Sequence, residues 1–167
     1  PRHRRVRRRF GCTVWDGFGS TEAAVIIIRP DDTPAGSVGQ PFDGVAVFNR
    51  ETLEECPRAI FGEHGVVTNL DDAVGELVNT SGGGWFGGYY NDESSTAERM
   101  QHGMYWSGDL AYRDDAGFVY LAGRTSDWLR VDGENLAAAP IEQILLRHPA
   151  ISQPAVYGIP DPMVATS

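Results

Sequence analysis

Lysine is missing from this 167-residue chain: every one of its 14 basic residues is an arginine. Any role that needs an ammonium side chain is therefore excluded, and fixed positive charge falls to guanidinium groups. Cysteine is scarce, with only Cys12 and Cys56. No CxxC pair or close histidine partner accompanies either, which excludes a cysteine-based metal site. Two thiols are enough for one disulfide, but nothing points to secretion, and they read as reduced in a cytoplasmic protein. Long apolar runs are absent as well. Val25–Ile28 is far too short to cross a bilayer, so no transmembrane segment is expected. There is no internal repeat.

What is present is unevenly charged. PRHRRVRRR at the start holds six of the arginines in nine residues, leaving eight arginines against 23 acidic residues in the other 158. So acidic a body repels nucleic acid, and no nucleic-acid partner is expected. The basic start, residues 1–10, has no apolar core of the kind a secretory signal needs. An RNA-binding arm, a targeting signal and an artefact of the reading frame all remain open for it; the expectation is an unstructured tail without function. The length suits one domain, or one with part of another.

Along the chain, Val25–Ile28 reads as a buried strand ended by the Pro30–Pro34 turn cluster, and Val45–Phe48 as a second. Residues 49–73 mix charge with Gly and Pro and are left unplaced. Glu76–Val78 is short and apolar, and TSGGGWFGGYYN (80–91) is too rich in glycine for a helix. Asp92 is a natural N-cap for a short helix running to Met100. Met104–Trp106, Leu110–Tyr112 and Phe118–Leu121 read as three strands, the last two joined by a hairpin loop at 114–117. A second module follows: a hairpin around Asp132-Gly133, then a helix with Pro140 in its first turn and Ile141, Ile144 and Leu145 on one face. His148-Pro149 stops that helix, and Ala150–Ile159 reads as another strand, broken at Pro154. A module of about forty residues with this pattern cannot bury its own apolar face, so it reads as cut off mid-fold.

Three stretches carry candidate chemistry, and each has a plain alternative. In FGSTE (18–22), backbone N–H groups of a glycine-flanked turn and the Ser20 and Thr21 hydroxyls can meet phosphate. Glu22 can offer Mg²⁺ a hard oxygen, and Phe18 a face for a base; the alternative is an ordinary turn. In YWSGDL (105–110), Asp109 can accept from two ribose hydroxyls, or can be a turn aspartate. In GRTSDWLRVDGEN (123–135), Arg124 can fork onto phosphate or ribose, or can be a surface arginine in a linker.

Their order changes the odds. FGSTE, GxVGxP at 36–41, GELxxxGxxxxxGYxxxxxxT (75–96), YWSGD and GRxxDxxxxxGENxxxxxIE (123–142) occur in one series with sensible gaps. Together they resemble the acyl-adenylate-forming superfamily of acyl-CoA synthetases, aryl-CoA ligases, luciferases and peptide-synthetase adenylation domains, over roughly residues 11–162. The resemblance implies an α+β fold: residues 11–125 as the β-rich C-terminal part of a large AMP-binding domain, and 126–167 as a hinge and the start of a small α+β domain.

It also implies roles. Thr21 contacts the ATP phosphates and Glu22 binds Mg²⁺, as the catalytic pair. Phe18 and Gly19 border the adenine and acyl pockets, and Ser20 counts with them and Thr21 among the cofactor-binding residues. Asp109 holds the ribose hydroxyls with Arg124, Ser126 stands at the hinge in place of the usual Asp or Lys, and Gly133 lies in the hairpin that forms the CoA tunnel. The implied cofactors are ATP, Mg²⁺ and CoA. The implied reaction joins a carboxylate, here a fatty acid, to AMP and then to a thiol, with electrostatic stabilisation of the reacting phosphate at its centre. The family's glycine-rich phosphate loop and its catalytic lysine have no counterpart in this sequence. The chain is thus expected to be a fragment of such a ligase, inactive alone in carboxylate-dependent pyrophosphate exchange; the alternative is a non-catalytic remnant that binds a nucleotide or a partner.

Overall fold

The structure, a computed structural model, describes residues 2–12, 14, 17–125, 128–131 and 134–159. It is an α+β arrangement of antiparallel sheets with a few short helices.

β1 (Gly17–Gly19), β2 (Ile26–Ile28) and β3 (Gln40–Pro41) form a small sheet in that order. In β2 only Ile27 is buried; Ile26 and Ile28 point the other way and are exposed, as the two-residue period of a strand requires. The expectation of a wholly buried strand at 25–28 therefore holds for one face only. Next to β3, Val38 N–H donates to Val119 O and Val119 N–H to Gly39 O, which ties this sheet to the larger one. The buried Ser37 hydroxyl also donates to Val119 O, at 2.8 Å.

The larger sheet runs β4 (Val45–Phe48), β5 (Gly75–Asn79), β7 (Met104–Arg113). On the far edge of β7, β6 (Met100–Gln101) pairs with one end and β8 (Val119–Arg124) with the other. Side chains of β7 enter two cores. Tyr105 and Ala111 join Val25, Ile27, Val47 and Leu77 in one; Leu110 and Tyr112 join Phe118, Tyr120 and Ala122 in the second. Near-parallel stacking of Tyr112 on Tyr120, with centroids 5.2 Å apart, closes the second.

β7 replaces the two strands expected at 104–106 and 110–112. What looked like a break at Ser107-Gly108 is an irregularity within one strand. Between the rungs Glu76–Leu110 and Val78–Trp106, β5 contributes Leu77 alone while β7 contributes Ser107, Gly108 and Asp109.

The segment left unplaced, 49–73, is mostly turns. Asn49 Oδ1 accepts from the amides of Glu51 and Thr52, and one short helix, α2 (Leu70–Ala73), precedes β5. α3 (Glu93–Arg99) starts where expected: Asp92 Oδ1 accepts from Ser95 N–H at 2.9 Å. The hairpin β9 (Trp128–Val131) and β10 (Glu134–Ala137) has the expected register, with Val131 opposite Glu134. α4 (Ala138–Leu145) follows, with Ala137 and Ala138 buried but Ile144 and Leu145 exposed.

Two expectations differ from the structure. Residues Arg2–Phe10 form helix α1 rather than an irregular tail, in keeping with the good helix propensity of arginine. Ala150–Ile159 is not a strand: no strand pairs with it among the described residues, and Tyr157 and Ile159 stand exposed.

Candidate functional site

FGSTE closes the β1–β2 hairpin. Gly19 pairs with Ile26, and the six residues between them form the loop. Ser20 is turned inward. Its hydroxyl accepts from the amides of Ala24 and Val25 at 3.2 and 3.3 Å, and its own N–H donates to Val25 O. Ser20 thus holds the loop shut. Thr21 is exposed and donates to Glu22 Oε2 at 3.1 Å. Phe18 is partly buried against the first core.

Glu22 has a partner that sequence reasoning did not single out. Tyr89 O–H donates to Glu22 Oε1 at 2.5 Å. The Tyr89 ring meets Phe86 edge-on, and Phe86 meets the buried Tyr105 in the same way. The Tyr89 backbone is fixed by Thr96, whose Oγ1 accepts its N–H at 2.8 Å. The GYxxxxxxT spacing is the signal that contained this contact. Burial pushes the Glu22 carboxyl up, but hydrogen bonds from Tyr89, its own backbone, Thr21 and Tyr105 outweigh that and hold it below the usual carboxylate range. The Tyr89 phenol is pushed up, first by that bond and then by burial and the Glu22 charge.

Asp109 lies on β7 directly opposite Arg124 on β8, and Arg124 Nε stands 3.0 Å from Asp109 Oδ1. The carboxylate is buried while the guanidinium is largely exposed. Burial raises the Asp109 carboxyl above its ordinary value; Arg124 and Arg99 oppose this, and Glu76 and Glu22 reinforce it. These five side chains therefore share one electrostatic environment. Asp109 and Glu22, 87 positions apart, are brought within each other's field. Arg99 at the end of α3 is coupled to Tyr89 by a hydrogen bond and by charge. Arg99 and Arg50 stand in no motif of the sequence, and Glu76 and Tyr89, though part of the GELxxxGxxxxxGYxxxxxxT string, were given no role there. Ser126 and Gly133 lie outside the described residues.

The sign of the Asp109 shift leads to an expected outcome. A carboxyl raised above its unfolded value costs folding when ionised, and that cost grows as pH rises through the folded pKa. Asp109→Asn removes the cost, while the exposed Arg124 turns to water. The variant should melt no lower than the wild type at pH 7, and the difference between them should shrink towards pH 4. Thermal melts at both pH values check this; a variant that melts lower at pH 7 overturns it.

Glu22 and Thr21 offer hard oxygens, each with lone pairs to spare, which suits a cation that takes one or two carboxylates and completes its shell from phosphate and water. Among the described residues no group of three or more His, Cys, Asp or Glu could hold a metal unaided.

A model of the AMP-binding enzyme family matches residues 1–90. The chain belongs to that family. It is 55% identical over 160 residues to the medium/long-chain-fatty-acid–CoA ligase FadD17 of Mycobacterium tuberculosis, a match covering 96% of this chain and 29% of that protein. It is 46% identical to the steroid-22-oyl-CoA synthetase of Rhodococcus jostii, covering 93% of this chain and 28% of that one. Its fold is similar to that of O-succinylbenzoate coenzyme A synthetase from Bacillus subtilis in complex with AMP, with a TM-score of 0.63 and 28% identity over 95% of this chain and 31% of that one. The chain therefore spans under a third of the length of these AMP-binding enzymes. The family match begins at residue 1, so it includes the Arg-rich helix α1. No described helix is long and apolar enough to cross a membrane.

Proposed function

We propose that the chain is the nucleotide-handling part of an ATP-dependent acyl-CoA synthetase acting in the cytoplasm on a fatty acid. The observation that carries this is the Asp109–Arg124 rung, a buried acceptor beside an exposed guanidinium, in the same field as Glu22. A carboxylate so placed accepts from the two ribose hydroxyls, and the guanidinium fork can reach ribose or phosphate. Thr21 reaches the phosphates from the loop that Ser20 closes. Glu22, aimed by Tyr89, holds Mg²⁺, which when bound neutralises the polyphosphate. Phe18 and Gly19 border the base and the acyl group. Residues 11–125 belong to the end of the large domain; the stretch from Ser126 begins the small domain, and Gly133 is assigned to meeting CoA. With no lysine, this chain supplies binding and orientation rather than the whole reaction.

Calorimetric titration with AMP is the test. The wild-type chain should bind AMP, and Asp109→Ala should weaken binding about tenfold or more, as expected for loss of hydrogen bonds to a charged acceptor. 2′-Deoxy-AMP should bind the wild type more weakly than AMP and the variant equally. Identical AMP affinity in the two proteins sinks the reading.

A further inference from the structure

Glu76 is a carboxylate in a place that sheet geometry does not favour. It sits in the middle of a five-stranded sheet and is only 2% exposed. A buried charge of this kind is costly unless it is fully partnered. Here both oxygens are engaged. Oε1 accepts from the backbone N–H of Gly108 at 2.6 Å, and Oε2 accepts from Arg50 Nη1 at 2.7 Å. Arg50 is itself held, donating to Gln101 Oε1 and to Glu98 O while lying over the Trp106 ring at 5.0 Å.

The Gly108 amide lies where β7 carries three residues against one on β5. A strand so bulged leaves amides without a ladder acceptor, and one left buried and unpaired would cost as much as a lost hydrogen bond. The side chain of Glu76 takes the place of that acceptor. Gly108 has φ of +77°, and a Cβ built on it would meet Arg99 Nη1 at 2.3 Å, so the bulge is closely packed on its other side too. The next residue is Asp109. Its N–H donates to Ser107 Oγ, and its side chain faces Arg124.

We infer that Glu76 is the positioning residue of the site: its carboxylate seats the Ser107–Asp109 bulge through the Gly108 amide and thereby aims Asp109 at Arg124. The meaning of this for ligand binding rests on Asp109 and Arg124 being the ribose contacts; the positioning itself does not. Arg50 holds the second oxygen and so keeps the carboxylate oriented.

The experiment is NMR on the full chain with Glu76→Gln, Glu76→Asp and Glu76→Leu. It reads amide exchange at Gly108 and the Nε–Hε cross-peak of Arg124, alongside AMP affinity. In Glu76→Gln the side-chain carbonyl can still accept from Gly108, because Arg50, partly exposed, can turn to water and Gln101. Gly108 should stay protected and the Arg124 peak should persist. In Glu76→Asp the carboxylate is withdrawn by about one C–C bond, 1.5 Å. Gly108 exchange should then rise about a hundredfold, as for local opening, and the Arg124 peak should broaden or shift. Glu76→Leu should behave in the same way.

A buried charge needed only for stability predicts the opposite order, Asp milder than Gln. Protection kept in the Asp variant, or lost in the Gln variant as fully as in the Leu variant, overturns the inference. If the Asp and Leu variants do not fold, the Gln variant decides: replacing a charged acceptor by a neutral one should move the Gly108 amide proton upfield, and an unmoved proton overturns it. AMP affinity should follow the same order. A wild type that binds no AMP removes the nucleotide reading and leaves the Gly108 and Arg124 signals to decide the role of Glu76.

Discussion

Gly39→Ala should unfold the chain or lower its melting temperature by about 10 °C or more, a loss of several kcal/mol. Gly39 has φ of +123°, a conformation that a side chain strains. The added Cβ would also stand 1.9 Å from Ile28 O and 2.6 Å from Ile28 C. These are backbone atoms of a paired strand, so nothing flexible can yield. Relief requires moving β2 away from β3 or breaking the Val38 and Gly39 bonds to Val119 that join the two sheets. Gly117→Ala is the control. Its φ is also positive, at +84°, but nothing lies within 4 Å of its Cβ, so only the backbone strain of about 1 kcal/mol should register. Circular dichroism melts of the two variants separate steric cost from conformational cost. Equal, small effects would mean that the sheet junction is looser than described.

The second large effect concerns Mg²⁺. Glu22, Glu76 and Asp109 share one field with Arg99 and Arg124, so a triphosphate arriving alone meets carboxylates as well as guanidiniums. Mg²⁺ should therefore tighten ATP binding to the wild-type chain while leaving AMP binding nearly unchanged. Glu22→Ala should remove about ten- to hundredfold of that gain, the usual worth of a hydrogen bond or close contact to a charged group, and leave AMP affinity alone. Titrations of ATP with and without Mg²⁺, on both proteins, measure it. An equal Mg²⁺ gain in Glu22→Ala would take the cation away from Glu22.

Much of the architecture was legible because local rules agree with the fold at those points. Val45–Phe48, the Asp92 cap and the 128–137 hairpin are each specified by residues close in sequence. Asp109 and Arg124 were legible as candidates, and the sheet register then makes them neighbours. Glu22 was legible, but its partner Tyr89 was not: the contact spans 67 positions and depends on how the glycine-rich loop 80–91 is laid down. Glu76 was hidden for a different reason. The short run Glu76–Val78 gives no sign of the strand it faces, and only the bulge opposite reveals what the acid is for. The misread strand at 150–159 shows the limit from the other side. β-Branched residues around Pro154 have the composition of a strand, but a strand exists only where another can pair with it.

The rung between Asp109 and Arg124 is the last in the ladder of β7 and β8; β8 ends at Arg124, and the next hairpin starts at Trp128. Load on a zipper concentrates at its open end. The hairpin and α4 also lean on this sheet through Ala137, which packs with Leu110, Tyr112 and Tyr120, so a torque from them is shared between that packing and the rung, and an adenosine held at the rung as proposed would add to its share. Occupancy of the site would stiffen the joint, and release would slacken it, with no signal needing to travel further than one pair of side chains.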